Sequence, residues 1–147
     1  SHTITITASD NDGNAATVVS STFTIDTVPP TLTISSPTAG LITNKTALNV
    51  TGKTNDATSS PITLTMTLNG TSLGTVTVGS DGSFTKAVTL AEGTNSIVVT
   101  AKDGAGQTTS ITLSVKLDTT VPELTGITLA QNPVSTSASV AITVEVS

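Results

Sequence analysis

The feature that most limits the fold of this chain is that it repeats itself. Residues 4–14 (ITITASDNDGN) match residues 97–107 (IVVTAKDGAGQ), and residues 26–33 (DTVPPTLT) match residues 118–125 (DTTVPELT). The period, about 92–93 residues, suits one compact domain per repeat. Only one full period fits into 147 residues. The expected organisation therefore has three parts: residues 1–29 as the last two strands of a preceding unit plus a linker, 30–118 as one whole unit, and 119–147 as the first two strands of a following unit. The Asp-Thr segments at 26–30 and 118–122, which carry the prolines, read as the linkers. The missing initiator Met and the tag-like Ser1-His2 pair suit a segment of a longer polypeptide.

Thr, Val and Ile supply 59 β-branched residues, 34 of them Thr, which is incompatible with helix as the main architecture. Alternation and turn residues divide the whole unit into seven strands: A 31–35, B 47–54, C 62–69, D 72–78, E 84–90, F 95–102 and G 108–117. The clearest inward rows are Leu48 and Val50; Ile62, Leu64, Met66 and Leu68; Ile97, Val99 and Ala101; and Ile111, Leu113, Val115 and Leu117. Their opposite faces are mostly Thr, Ser, Asn or Lys, as in antiparallel sheets with one packed and one wet face. Asn69-Gly70, Ser80-Asp81-Gly82, Glu92-Gly93 and the Gly104/Gly106 pair supply turn chemistry between strands. The expected fold is all-β, an antiparallel sandwich of about seven strands repeated in tandem.

Several functions are excluded by what is missing. With five Lys, no Arg and ten acids, the net charge of -5 opposes binding to phosphate backbones, so no nucleic-acid partner is expected. Without Trp or Tyr and with two Phe, there are few aromatic platforms for sugars or bases. No Cys means no disulfide, thiolate site or Cys nucleophile, and the single His2 beside the chain start leaves a Ser-His-Asp relay without a credible base. No apolar run reaches the ~18–20 residues of a membrane span. The chain reads as non-catalytic.

The stretch NSIVVTAKDGAGQTTSITLSVKLD at 95–118, with GSDGSFTKAVTLAEGTNSI before it, resembles the second half of bacterial immunoglobulin-like repeats. These occur in tandem in surface adhesins and S-layer-type proteins. The closing ELTGITLAQNPVSTSASVAITVEVS resembles the opening of an immunoglobulin-like module of surface and phage tail proteins. Gln107 stands where that family usually has Asn, and the antibody-type Cys and Trp are missing. The resemblance implies extracellular display.

Strand direction sorts the loops between the two ends of the sandwich. Asp56 in B–C, Asp81 in D–E and Asp103 in F–G fall at the end where Asp26 enters from the linker. Four like charges crowded there, with no Arg nearby, form a candidate metal set, and calcium is the matching ion because it accepts several oxygens at irregular geometry. Occupancy would stiffen the Asp-Thr-Val-Pro-Pro joint, and in this the chain resembles calcium-stiffened adhesin repeats. The competing reading is simpler: Asp is a preferred turn residue that bonds its own backbone, so the same four residues also read as solvated turns. The DNDGN run at 10–14 opens like a calcium loop but lacks the closing Glu, and by the repeat it is an F–G hairpin tip. The sequons at Asn44, Asn49 and Asn69 read as chance in a Thr-rich chain, and no Lys sits in an apolar row as an Asn crosslink needs.

The leading functional expectation is a structural spacer and adhesion module of a bacterial cell-surface protein, stiffened by calcium and touching neighbouring repeats. A host-surface protein or glycan would be met through other domains. The alternatives are a decoration on a phage tail or virion protein and an accessory domain of a secreted polysaccharide-degrading enzyme. Open strand edges at both ends also raise head-to-tail strand complementation between chains.

Overall fold

The computed structural model describes residues 1–56 and 59–123. Ten strands run in chain order: β1 His2–Ile6, β2 Val19–Phe23, β3 Thr31–Ser36, β4 Leu41–Thr43, β5 Ala47–Asn55, β6 Thr63–Leu68, β7 Thr71–Val76, β8 Ser83–Thr89, β9 Gly93–Lys102 and β10 Thr108–Leu117. There is no helix among the described residues. Strands β3 to β10 form a sandwich, with a three-stranded sheet ordered β3-β5-β8 facing a five-stranded sheet ordered β4-β10-β9-β6-β7. The seven expected strands A to G are all present, with ends shifted by two residues or fewer.

Alternation places the core. Leu32, Val50, Phe84 and Val88 project from the three-stranded sheet, and Leu64, Met66, Ile97, Val99, Val115 and Leu117 are among those meeting them from the other layer. Burying each such side chain stabilises the fold by about 1.5–3 kcal/mol against exposure, an upper estimate because denatured chains already bury some surface. In β5 the inward row continues into Gly52, which pairs with Phe84 directly opposite in the antiparallel ladder. A Cβ there would lie 2.1 Å from the Thr33 carbonyl oxygen and 2.7 Å from the Phe84 ring, so the ring occupies the space a side chain would need. The β6–β7 hairpin turns on Asn69 (φ 51°) and Gly70 (φ 80°), the left-handed pair that a two-residue hairpin of primed type requires.

Asn95 is fully buried at an inward position of β9. Its Oδ1 accepts from the Ala91 amide at 2.9 Å and from Asn69 Nδ2 at 3.1 Å, while its Nδ2 donates to the Ala91 and Gly93 carbonyls at 2.7 and 3.0 Å. One side chain thus ties the β8–β9 turn to the β6–β7 turn with no polar atom stranded.

One pairing departs from an all-antiparallel arrangement. β4, absent from the sequence reading, runs parallel to β10 through Leu41↔Val115, Ile42↔Lys116 and Thr43↔Leu117. Three residues are too few to show a period, so alternation could not have found it. The sandwich is therefore entered at Thr31, beside Thr109, and left beyond Leu117 at the opposite pole. The ten residues of β10 separate these points by roughly 30 Å. Strands β1 and β2 form a separate antiparallel hairpin, with every residue exposed. The two strands expected within 119–147 fall mainly on positions 124–147, outside the described residues.

Candidate metal centre

The pole where the chain enters is built by three segments meeting side by side. Between β2 and β3 the linker turns at Asp26, whose Oδ1 accepts the Val28 amide at 3.0 Å, an Asx turn that sets up Pro29 and Pro30. Pro30 is buried, and its carbonyl accepts the Thr109 hydroxyl at 2.6 Å. The hydroxyl of Thr31 donates to the Asn55 carbonyl at 2.8 Å and that of Thr54 returns to the Thr31 carbonyl at 2.7 Å, fastening β3 to the end of β5. Asp56 follows β5 immediately and accepts the Ser59 amide at 3.2 Å. Asp103 follows β9 immediately and closes the β9–β10 turn: its amide donates to the Gln107 carbonyl at 3.0 Å, and its Oδ1 accepts the Gln107 amide at 2.8 Å. The Gly104 amide reaches the Ser59 carbonyl at 3.1 Å, so the β9–β10 and β5–β6 loops are sewn together.

These turns bring one carboxylate oxygen each from Asp26, Asp56 and Asp103 within 4.8 Å of one another. Asp103 is only 5% exposed, and its second oxygen, Oδ2, is buried with no hydrogen-bond donor. A buried carboxylate oxygen without a donor costs roughly 1–3 kcal/mol or more when charged. Lys53 pairs with Asp81 and Lys116 with Asp118. The partly buried triad could bind a metal ion. Its donors are all hard carboxylate oxygens, and a cation with bonds of about 2.4 Å can reach donors that far apart.

Asp81, the fourth residue expected here, stands outside the group. Its turn does lie at this pole, since the Gly82 carbonyl accepts the Thr54 amide at 2.9 Å. Its carboxylate is directed outward: Oδ1 accepts the Ser83 amide at 3.0 Å and the Ser83 hydroxyl at 2.6 Å, and Oδ2 lies 3.9 Å from Lys53 Nζ. The Ser83 hydrogen bonds, then the Lys53 charge, hold Asp81 below the usual carboxylate range. Of the four expected residues the structure thus brings three together, while Asp81 caps its own turn and meets the exposed ammonium of β5.

Asp10 likewise spends both oxygens locally, accepting the Asn14 amide and Nδ2 at 2.8 Å each and the Asp12 amide at 3.0 Å. These bonds, led by the Asn14 side chain, lower its pKa. A second clamp, not visible in the residue pattern, closes the exit pole: Glu92 accepts the Thr119 amide at 3.2 Å and the Thr119 hydroxyl at 2.8 Å, and the Asp118 amide donates to the Thr43 carbonyl at 2.9 Å. A cleft of about 290 Å³ that shares Asp56 with the triad is lined also by Thr54, Asn55, Ser60, Gly79 and Gly82, and among the described residues Asp56 is the carboxylate that lines it.

No curated protein sequence matches the chain. Among solved structures, the fibronectin(III)-like modules of CbhA from Clostridium thermocellum align with a TM-score of 0.51 at 18% identity, covering 77% of this chain and 60% of theirs. The present chain thus spans less than two thirds of that structure, and the likeness establishes the fold. An engineered protein aligns with a TM-score of 0.44 at 23% identity, over 60% of this chain and 20% of its own. Residues 30–119, which contain the whole sandwich and its exit clamp, match the family described as glucodextranase, domain B, and the chain belongs to that family.

Proposed function

We propose that this chain is a non-catalytic accessory and spacer module of a secreted polysaccharide-degrading enzyme, with its entering linker fastened by calcium. The observation that carries this reading is the match of residues 30–119 to domain B of glucodextranase. It favours the enzyme-accessory alternative over the cell-surface adhesin as the parent, and an extracellular location goes with it. The geometry agrees. Entry and exit lie at opposite poles, and each linker is held to the sandwich, by Thr109 at one end and Glu92 at the other. A module clamped this way transmits the orientation of one neighbour to the next across roughly 30 Å.

Calcium belongs to the reading because Asp26 comes from the linker whereas Asp56 and Asp103 come from the sandwich. An ion held by all three fixes the joint, and the charged oxygen of Asp103 gains the partner it lacks. Carboxylates supply the charge, and water supplies the remaining coordination positions of a six- to eight-oxygen shell. A partly buried three-carboxylate site completed by water suits a Kd of about 10⁻⁴–10⁻³ M, the range of extracellular modules. The test is calorimetric titration of metal-free protein with calcium, with Asp103→Asn as control. Saturable heat lost in the variant supports the joint; no heat and no melting shift at millimolar calcium removes it. The parent assignment has its own test: a glycoside-hydrolase catalytic domain in the same polypeptide supports it, and tail or anchor domains without one overturn it.

A further inference from the structure

We propose that the hairpin β1–β2 is the closing hairpin of a second sandwich, and that its bare apolar face docks the inner face of a three-stranded sheet of the β3-β5-β8 kind, carried by an upstream repeat of the same polypeptide. The two hairpins of the chain correspond pair for pair. In β9–β10 the opposed pairs are Val99↔Ile111, Ile97↔Leu113 and Asn95↔Val115. In β1–β2 they are Ile6↔Val19, Ile4↔Ser21 and His2↔Phe23. The sequence repeat maps each member of the second set onto the corresponding member of the first.

The turns coincide as well. The Asp10 amide donates to the Asn14 carbonyl at 3.0 Å, the Gly13 amide to the Asp10 carbonyl at 3.1 Å and the Asn14 amide to Asp10 Oδ1 at 2.8 Å. The same three bonds around Asp103, from Asp103, Gly106 and Gln107, measure 3.0, 3.3 and 2.8 Å.

What differs is the cover. Ile97, Val99 and Val115 are 0% exposed beneath Leu32, Val50, Phe84 and Val88, whereas Ile4, Ile6, Val19 and Phe23 are 55%, 63%, 63% and 44% exposed. A two-stranded ribbon with one apolar face is marginal alone in water and gains stability only when that face is covered. The complete sandwich shows which kind of surface covers such a face: a twisted antiparallel sheet with Leu, Val and Phe turned inward. A second copy of this chain cannot offer its own β3-β5-β8 face, because β9 and β10 already occupy it. The sheet of an upstream repeat has no such prior occupant.

The chain has no Cys, so single thiols report the cover directly. Ile6→Cys places a thiol on the apolar face and Thr5→Cys places one on the opposite face, with Ile4→Cys as a second inward probe. In the polypeptide extended upstream by one natural repeat, the thiols at positions 6 and 4 are expected to react roughly tenfold or more slowly than that at position 5, as protection by a folded unit requires. In residues 1–147 alone the three should react at similar rates. Equal rates in the extended polypeptide overturn the proposal. Protection within residues 1–147 that grows with protein concentration also overturns it, and assigns the face to strand exchange between copies. Chelating calcium should leave the rate ratio unchanged, so this result stands or falls apart from the cation joint.

Discussion

The hydroxyl of Thr109, at the start of β10, donates to the carbonyl of Pro30, 79 residues earlier in the chain, at 2.6 Å. That bond docks the linker on the sandwich and sets Asp26 beside Asp56 and Asp103. Removing it with Thr109→Val should cost about 0.5–1.5 kcal/mol in urea unfolding, the net worth of one such bond. It should also raise the calcium concentration needed for half-saturation, because Asp26 is no longer held in place. A variant that loses stability but binds calcium as before would separate the linker dock from the joint.

Asp103→Asn should act with opposite sign in the two states. In chelator the amide removes a like charge from the triad, and the melting temperature rises. With calcium at a hundredfold excess over Kd the proposed site should add about 2.7 kcal/mol to the wild-type chain and none to the variant. Thermal melts of both proteins in chelator and in calcium should therefore cross. Asp81→Asn should shift neither calcium response, since its carboxylate faces Lys53 and Ser83.

Asn95→Ala leaves the Ala91 amide and the Ala91 and Gly93 carbonyls without their partner. Loss of these part-buried bonds predicts a cost of about 1–3 kcal/mol. Amide exchange should quicken in both the 91–95 and 69–70 turns, because Asn69 loses the same anchor.

Gly52→Ala should be more damaging than its size suggests. The added methyl meets backbone, the Thr33 carbonyl at 2.1 Å, as well as the Phe84 ring. Overpacking in cores costs about 1–3 kcal/mol where side chains can yield, and this site belongs at or above the upper end. Gly104→Ala, whose nearest contacts are the Ser59 hydroxyl and the Ser60 carbonyl at 3.3 Å, should cost less than Gly52→Ala.

Acid should weaken the module through Asp81 and Asp118. The folded pKa of each lies below 3.8, for Asp118 because the Thr120 hydroxyl and then Lys116 bond its carboxylate. A lowered folded pKa contributes stability that is fully present above the unfolded value and is lost as pH falls through the folded one. Melting temperature should therefore decline below about pH 4. The decline should flatten in Asp81→Asn combined with Asp118→Asn, read by thermal melts from pH 7 to pH 2.

The strands were legible because their inward residues alternate cleanly, as in Ile97, Val99 and Ala101. Asp26, Asp56 and Asp103 could be gathered from strand direction alone, since direction decides the pole of each loop. Where a side chain points within its loop is a matter of local hydrogen bonds, and for Asp81 a serine two residues on and a lysine across the sheet decided it. Asn95 carried a readable sign, a polar residue at an inward position of an apolar row, though its four partners become visible only when two turns meet. The loops resemble surface-adhesin repeats and put that parent first, whereas the match of residues 30–119 to glucodextranase domain B favours the accessory-domain alternative.

The short parallel ladder of Leu41, Ile42 and Thr43 on β10 bears on mechanics. A pull on the two linkers drags β4 backward through β3 while drawing β10 forward, so the ladder is sheared along its length and its bonds must break together. Peeling, which breaks bonds one at a time, is avoided at the strand that carries the load. Three residues of edge strand would thus resist a stretching force applied at the two linkers.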